Sequence, residues 1–196
     1  MTAGASGRVR TRRRALVAVI GDARADPRSR TYRMAQGLGE SLVNAGFRIV
    51  TGGLGGVMEA ACRGARRSTK YRPGDTIGLL PSLDPDEANP FVDIAIGTGL
   101  GDLRNGLVAN ADAVIAIGGG AGTLSEIALA WMRRRLIVAM GSDGWAANLM
   151  DVRLDHRSRK VETEDDRIFS ATTPDEATAI VSRLWQTYRR RPRGWT

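Results

Sequence analysis

Apolar residues along the chain alternate between two spacings, one typical of buried strands and the other of amphipathic helices. Short apolar runs predict six strands, at residues 15–20, 47–50, 76–80, 92–96, 112–117 and 136–140. Apolar residues three or four positions apart predict the intervening helices, over residues 32–43, 57–66, 104–108 and 127–131, and a last helix from Pro174. Strands that alternate with helices in this way form parallel sheets covered on both faces. The pattern therefore predicts a doubly wound, three-layer α/β fold.

Two stretches depart from this alternation. Residues 82–90 carry prolines and acids and are expected to form a surface loop. Residues 151–167 are densely charged and show no period, so we expect a loop or lid there rather than a boundary between domains. A length of 196 residues also suits a single domain with a substantial core.

Cysteine content and hydropathy limit the environment of the protein. Cys62 is the only cysteine, which excludes an internal disulfide and a cysteine-cluster metal site, and we predict no metal site. Its position among apolar residues predicts core packing, and its isolation suits a reducing, cytoplasmic compartment. No apolar run approaches the roughly 20 residues of a membrane span. The N-terminus also lacks the apolar stretch of a secretory signal.

The net charge of +8 is concentrated at the two ends of the chain. The two ends contain no acidic residue, and the charge of +9 from their arginines exceeds the net charge of the whole chain. These nine residues are Arg8, Arg10, Arg12, Arg13, Arg14, Arg189, Arg190, Arg191 and Arg193. Residues 15–188 consequently carry a net charge of −1. We expect a disordered basic tail over residues 1–13, one folded domain over 14–188 and a second basic tail over 189–196. Solvation of the tails is favoured over nucleic-acid binding, because no aromatic residue is interleaved with the N-terminal arginines.

Glycines cluster where the predicted strands end. They occur at position 21 and within residues 52–56, 97–99 and 118–122. The carboxyl ends of parallel strands meet at one edge of a sheet, and ligands bind there. This edge supplies the first set of predicted ligand-binding residues: Gly21, Asp22, Gly52, Gly53, Gly55 and Gly99. Since a carboxylate would repel a phosphate, Asp22 is better suited to a ribose hydroxyl.

Residues 116–126 form the most informative segment, because a buried strand passes through glycines directly into a helix. Such a junction combines free backbone N–H groups with the positive end of a helix dipole, and so favours a phosphate. The predicted cradle consists of Gly118, Gly119, Gly120, Ala121, Gly122 and Thr123. Glu126 places a carboxylate one turn inside the helix, beside the predicted ligand.

Two classes of protein that commonly contain such a loop, the dinucleotide-binding proteins and the P-loop proteins, do not fit this sequence. The dinucleotide pattern G-x-G-x-x-G fails wherever it is started, meeting Met58, Thr123 or Ser125 in place of the last glycine, and the lysine of a P-loop is absent. Pyridoxal phosphate chemistry is also excluded. The chain has only Lys70 and Lys160, and neither lies at a glycine cluster.

The same segment resembles the Lonely Guy family, whose members are often labelled lysine decarboxylases. The family pattern P-G-G-x-G-T-x-x-E matches residues 118–126 at every fixed position except the first, where Gly118 replaces proline. Arg104 matches the family's arginine, whereas Asn105 stands where lysine is usual. Residues 52–60 resemble the family's second glycine turn. The likeness covers roughly residues 15–150, and the departures are closer to a branch that includes molybdenum-cofactor carrier proteins.

The resemblance implies a Rossmann-like domain and two alternative functions. The first is hydrolysis of the N-glycosidic bond of a nucleoside 5′-monophosphate, giving free base and ribose 5-phosphate with no required cofactor. Glu126 would stabilise the oxocarbenium-like charge or activate water, and Arg104 would hold the phosphate or the departing base. Asn105 joins the predicted ligand contacts. The second is non-catalytic carriage or sensing of a phosphorylated cofactor, with molybdenum cofactor as possible cargo. Both predict a small phosphorylated ligand, no membrane partner and a homodimer or homotetramer.

Each site residue also has a purely structural interpretation. Thr123 and Glu126 have the spacing of a capping box, in which Glu126 would bond the backbone at the helix start. Arg104 could be a surface ion-pair partner. Glu59 suits the first turn of a helix through the dipole. The single histidine, His156, is expected to be exposed.

Overall fold

The computed structural model describes residues 13–159 and 165–188. Seven strands within these residues pair in parallel into one sheet: β1 (Leu16–Gly21), β2 (Arg48–Thr51), β3 (Thr76–Leu80), β4 (Ile94–Gly97), β5 (Ala113–Ile117), β6 (Leu136–Met140) and β7 (Phe169–Ala171). Their spatial order is β4-β3-β2-β1-β5-β6-β7. The central strands β5 and β6 are buried along their whole length, as both-face coverage requires.

Six α-helices connect the strands in the described residues: α1 (Arg30–Asn44), α2 (Val57–Ala65), α3 (Asn105–Val108), α4 (Ala121–Met132), α5 (Gly144–Asn148) and α6 (Pro174–Leu184). Short 3₁₀ turns occupy Pro85–Glu87 and Gly101–Arg104. One face of the sheet packs against α1, α2 and α6, and the other against α3, α4 and α5. This is the predicted three-layer, doubly wound Rossmann-like fold in one domain.

The strand order reverses between β1 and β5. From β1 the chain moves outward through β2, β3 and β4, and it then returns to place β5 on the other side of β1. Ligands of open parallel sheets bind in the crevice at such a reversal, at the carboxyl ends of the strands. β1 ends at Gly21 and the loop after β5 begins at Gly118, and both are predicted glycine positions.

Two elements of the fold were not predicted from the sequence. β7 has three residues and α5 has five, and each is too short to show the apolar period of its class. β4 is also displaced, since pairing with β3 begins at Ile94 rather than at residue 92. The predicted surface loop over residues 82–90 contains a 3₁₀ turn and one buried polar residue, Asn89.

Two of the terminal arginines form ion pairs with acids of the domain. Arg13, assigned above to the basic tail, donates from both terminal nitrogens to Asp112 at 2.6 Å. Arg14 pairs with Asp75 and also donates to the carbonyl oxygen of Phe47. The other seven terminal arginines lie outside the described residues. No helix in the described part of the chain is long and apolar enough to cross a membrane.

Candidate functional site

The loop between β5 and α4 begins with two glycines in the left-handed backbone region. Gly118 has a φ of +62° and Gly119 a φ of +87°. A Cβ atom on Gly119 would also overlap the side chain of Thr123, which is buried under the loop. Any larger residue at position 119 therefore meets both backbone strain and a steric clash. The proline of the family pattern is likewise incompatible with the φ of Gly118, since proline fixes φ near −65°.

The short helix α5 holds this loop from behind. The carbonyl oxygens of Gly118 and Gly119 accept hydrogen bonds from the backbone of Ala146 and Trp145, at 3.1 and 3.0 Å. Gly144 packs so closely against the loop that a Cβ atom there would lie 2.6 Å from the carbonyl carbon of Gly118. These contacts occupy both carbonyl oxygens and fix the path of the chain into α4.

The N-terminus of α4 is open to a ligand. Its N-cap is Gly120, which makes no side-chain cap bond, and the first N–H groups of an α-helix have no acceptor within the helix. A Cβ atom on Gly120 or Gly122 would meet no atom within 4 Å, and Ala121 is exposed. Free donors, the dipole of a 12-residue helix and open space in front of them favour an anion such as a phosphate.

Arg104 and Glu126 form a buried pair beside this helix start. The Arg104 Nη1 atom lies 3.4 Å from the Glu126 Oε1 atom, and the side chains are 10% and 8% exposed. Glu126 lies in the second turn of α4, and Arg104 ends the 3₁₀ turn before α3. The capping-box interpretation is therefore wrong, because the helix is capped at Gly120 and Glu126 faces Arg104.

Burial changes the ionisation of this pair. Loss of solvent raises the pKa of Glu126 to about 7, and the nearby guanidinium of Arg104 offsets only part of this rise. Burial likewise lowers the pKa of Arg104, against the opposing attraction of Glu126 and Asp102. Glu126 consequently exchanges a proton near neutral pH, as a general acid or base requires.

Gly52 provides the surface on which Arg104 lies. A Cβ atom at Gly52 would occupy the position of the Arg104 guanidinium group. The arginine therefore crosses the end of β2 at backbone contact distance. Its Nε atom is buried without a hydrogen-bond partner. An unsatisfied buried donor on a guanidinium group is costly, and a bound ligand that accepts from it is one physical explanation for its presence.

Asn105 connects this pair to the first turn of α4. Its side-chain amide donates to the Ser125 hydroxyl at 2.8 Å, and that hydroxyl donates to the Gly122 carbonyl oxygen at 2.8 Å. Asn105 is itself buried. The residue that replaces the family's lysine thus fixes α3 to the first turn of α4 without contributing a charge.

The remaining predicted ligand residues lie around the ends of β1, β2 and β4. Asp22 accepts a hydrogen bond from the Arg24 backbone at 2.8 Å, and its own carbonyl oxygen accepts from Val57 at the start of α2. Gly21 lies against the Ile117 carbonyl oxygen, and Gly55 faces that of Ala23. These contacts join the exits of β1, β2 and β5.

Gly53 and Gly99 have other neighbours. The Gly53 carbonyl oxygen accepts from both the backbone and the side chain of Asn89, and its N–H donates to the Thr51 hydroxyl. Gly99 packs against Leu83 and donates to the Ser82 carbonyl oxygen. Gly53 thus has a clear role in shaping the turn after β2, and Gly99 in joining the β4 exit to the preceding loop.

Three residues singled out by the sequence have structural surroundings. Glu59 accepts a hydrogen bond from the Tyr32 hydroxyl at 2.8 Å and so connects α2 to α1. Cys62 is fully buried, and desolvation raises the pKa of its thiol to about 12. His156 is exposed. No group of three or more His, Cys, Asp or Glu residues that could hold a metal ion occurs in the described part of the chain.

Sequence reasoning missed the supports of the site. Asn89, Ser125 and Gly144 each carry a contact that fixes a glycine turn, yet none stands at a fixed position of a recognised motif. A usable signal existed only for Gly144, which follows Ser142 and Asp143 in a turn-like sequence directly after a strand.

The sheet reversal, the glycine loop and the open helix start define a Rossmann-like protein whose carboxyl edge presents free backbone N–H groups. The sequence profile of the SLOG cluster4 family matches residues 14–178, and the chain belongs to this family. The predicted resemblance to Lonely Guy proteins is thereby confirmed.

Similar proteins agree with the predicted branch. The molybdenum cofactor binding protein of Rippkaea orientalis is 31% identical, with a TM-score of 0.69 over 87% of this chain and 96% of its own. The molybdenum cofactor carrier protein of Chlamydomonas reinhardtii is 28% identical, with a TM-score of 0.68 over 89% of this chain and 99% of its own. An uncharacterized protein of Archaeoglobus fulgidus is 39% identical over 125 residues, which are 63% of this chain and 78% of that protein.

Proposed function

We propose that this protein binds a phosphorylated cofactor at its carboxyl edge and acts as a carrier, with molybdenum cofactor as the cargo. The observation that carries the proposal is the open N-terminus of α4 behind the glycine loop. That helix start would receive the phosphate of the cargo through backbone N–H groups. The pterin end would extend over the exits of β1 and β2.

Similarity to carriers supports this function over others. Two solved structures described as a binding protein and a carrier protein for molybdenum cofactor share 31% and 28% identity with this chain over almost their whole lengths. A carrier requires reversible binding, which backbone donors and one arginine provide without a covalent or metal bond. Asn105, being uncharged, leaves the phosphate held by fewer cations than a lysine at that position would give.

The raised pKa of Glu126 is compatible both with cargo binding and with hydrolysis of an N-glycosidic bond. With a pKa of about 7, the carboxyl group is half protonated at neutral pH, so its repulsion of a nearby phosphate is reduced. Arg104 then becomes available to an acceptor on the ligand whenever Glu126 is protonated. Binding of an anion is therefore expected to be accompanied by proton uptake.

A second candidate function is hydrolysis of the N-glycosidic bond of a nucleoside 5′-monophosphate. The buried Arg104–Glu126 pair favours it, because a carboxyl group with a pKa near 7 could activate water while an arginine holds the phosphate or the departing base. The products would be the free base and ribose 5-phosphate, and water supplies the new hydroxyl group.

One experiment separates the two functions. The protein is incubated with isolated molybdenum cofactor or with each common nucleoside 5′-monophosphate, and is then separated from small molecules by gel filtration. Carriage predicts that pterin is retained with the protein and that chromatography detects no free base. Release of a base by wild type, lost in Glu126→Gln, would support hydrolysis. If the protein neither retains pterin nor releases a base, both proposed functions are overturned.

A further inference from the structure

A cavity lies next to the glycine loop, at the exits of β6 and β7. Its volume is about 160 Å³, and it is lined by side chains from α1, from β7 and from the segments that follow β6 and α5. Two lining residues, Thr31 and Gly141, adjoin the glycine loop. A Cβ atom on Gly141 would lie 3.6 Å from the Gly118 nitrogen, and one on Gly118 would lie 4.0 Å from the Thr31 Cγ2 atom. The cavity therefore begins where the glycine loop begins.

The size and the apolar lining of this cavity suit one flat ring. A cavity of about 150 Å³ holds a benzene molecule. Met34 and Met150 are both half-buried and line the cavity, and methionine sulfur makes favourable contacts with aromatic rings. A six-membered ring therefore fits this space, whereas the fused rings of a purine exceed it.

The polar lining offers both donors and acceptors. The Ser170 hydroxyl donates its proton to Asp151 at 2.7 Å. The Thr172 hydroxyl donates to Glu176 at 2.8 Å. Both hydroxyl oxygens therefore keep lone pairs with which to accept, while Arg30 supplies donors. None of the described residues that line the cavity is acidic. Pyrimidine bases carry ring carbonyl oxygens together with N–H groups, and so match this mixture.

Asp143 places an acceptor between the glycine loop and the cavity. It is the N-cap residue of α5, yet its side chain makes no cap bond. Its Oδ1 atom would lie 3.4 Å from a Cβ atom on Gly118 and 3.9 Å from one on Gly141. A carboxylate here repels a phosphate but accepts hydrogen bonds from ribose hydroxyls, as acidic residues do in nucleotide sites of this fold class.

We infer that the cavity binds the base of a pyrimidine nucleotide whose ribose lies at Asp143 and whose 5′-phosphate lies at the start of α4. The three sites adjoin in the order in which base, ribose and phosphate are bonded. The inference rests on the phosphate position of the proposed function. Because the pterin of the cargo would extend the other way, over the exits of β1 and β2, nucleotide and cargo share only the phosphate position and exclude each other.

The first test compares small ligands by calorimetry on the wild-type protein. Cytidine and uridine 5′-monophosphates (CMP and UMP) should bind at least tenfold more tightly than ribose 5-phosphate, which lacks the base. They should also bind at least tenfold more tightly than the adenosine and guanosine monophosphates, whose fused rings exceed the cavity. Equal affinity for CMP and ribose 5-phosphate, or for CMP and the purine nucleotides, would overturn the inference. Absence of CMP binding at millimolar concentration would also overturn it.

Two variants locate the base and the ribose. Ser142 lines the cavity, so Ser142→Phe should reduce CMP affinity to that of ribose 5-phosphate and leave the latter unchanged. The matched control is Ser182→Phe, at an exposed position near the end of α6, which should change neither affinity. Wild type should prefer CMP to its 2′,3′-dideoxy analogue, and Asp143→Ala should bind the two alike. Full CMP affinity in Ser142→Phe, or a hydroxyl preference that persists in Asp143→Ala, would contradict the assignment.

Competition with the cargo separates failure of this inference from failure of the proposed function. CMP should reduce the pterin retained with the protein after gel filtration, because both ligands require the start of α4. Retained pterin that saturating CMP does not displace would overturn the shared phosphate position and leave the carrier function standing. Bound CMP without any retained pterin would support the nucleotide site and remove the cargo assignment.

Discussion

At the scale of single residues, the proposed chemistry of the site depends on the Arg104–Glu126 pair. Both side chains are nine-tenths buried, and they approach to 3.4 Å without the short, two-point contact that stabilises a structural ion pair. The buried Nε atom of Arg104 has no partner. A pair of this kind costs stability and leaves donor capacity for a ligand.

The first prediction concerns pH. Because burial raises the pKa of Glu126 from near 4.5 to about 7, the folded state favours the protonated form. The contribution of Glu126 to the free energy of unfolding is fully present below pH 4.5. It falls by up to about 3 kcal/mol as pH rises through 7. Urea unfolding from pH 5 to 8 should show Glu126→Gln gaining stability relative to wild type as pH rises. A constant difference across this range would contradict the raised pKa.

The second prediction concerns the contact of Arg104 with Gly52. Gly52→Ala would place a methyl group where the guanidinium lies, and so should displace Arg104 and weaken ligand binding at least tenfold. Binding is measured by calorimetry with isolated molybdenum cofactor. The control is a double-mutant cycle with Arg104→Ala, in which the second substitution should have little additional effect. Additive losses would mean that Gly52 does not act through Arg104.

The sequence predicted these residues only in part. Arg104 and Glu126 follow from the resemblance to a family pattern, whereas their mutual contact depends on the packing of the 3₁₀ turn against α4. Ser125 occupies a variable position of that pattern, yet its hydroxyl joins Asn105 to Gly122. Side-chain contacts between elements depend on tertiary packing, which local spacing does not encode.

At the scale of elements, the glycine loop depends on a helix that the sequence pattern does not reveal. Strands and helices with a clear apolar period, such as β5, β6 and α1, were predicted within one or two residues. α5 has only five residues, so no period is visible, although its N–H groups hold the carbonyl oxygens of Gly118 and Gly119. The backbone geometry of the loop therefore depends on β5, α4 and α5 together rather than on the glycine motif alone.

The third prediction tests this support. Gly144→Ala would bring a Cβ atom to 2.6 Å from the loop backbone at a φ of +66°, and should distort the loop and weaken ligand binding at least tenfold. Gly74→Ala is the matched control, since its φ is +90° but its added Cβ would meet only ordinary contact with Ile94. Calorimetric affinity and thermal unfolding are measured for both. Equal loss of affinity in the two variants would contradict a role specific to α5.

At the scale of the whole molecule, a buried arginine ties the last part of the chain to the helix that bears Glu126. Arg159 pairs with Asp166 at 2.8 Å, and its guanidinium lies 3.4 Å from the centre of the Trp131 ring in α4. Tyr188 donates to the same Asp166. Residues predicted as a loop or lid are thus attached to the core on both sides of the segment 160–164, which lies outside the described residues.

The fourth prediction concerns this attachment. Asp166→Asn leaves the buried Arg159 without its counter-charge and should reduce the free energy of unfolding by about 3 kcal/mol. The control is Glu40→Gln, which breaks the exposed pair with Arg67 and should cost less than about 1 kcal/mol. Both are measured by urea unfolding at pH 7. Similar small losses in the two variants would contradict a stabilising role for the buried pair.

The measurement that tests the central claim most directly is the dissociation constant of isolated molybdenum cofactor, obtained by titrating tryptophan fluorescence. Trp145 is 40% exposed, and its backbone holds the glycine loop, so it lies close enough to report a ligand there. The account predicts saturable quenching by wild type, competition by inorganic phosphate, and at least tenfold weaker binding by Gly144→Ala than by Gly74→Ala. Absence of saturable binding, or affinity unchanged in Gly144→Ala, would contradict a cargo site at the glycine loop.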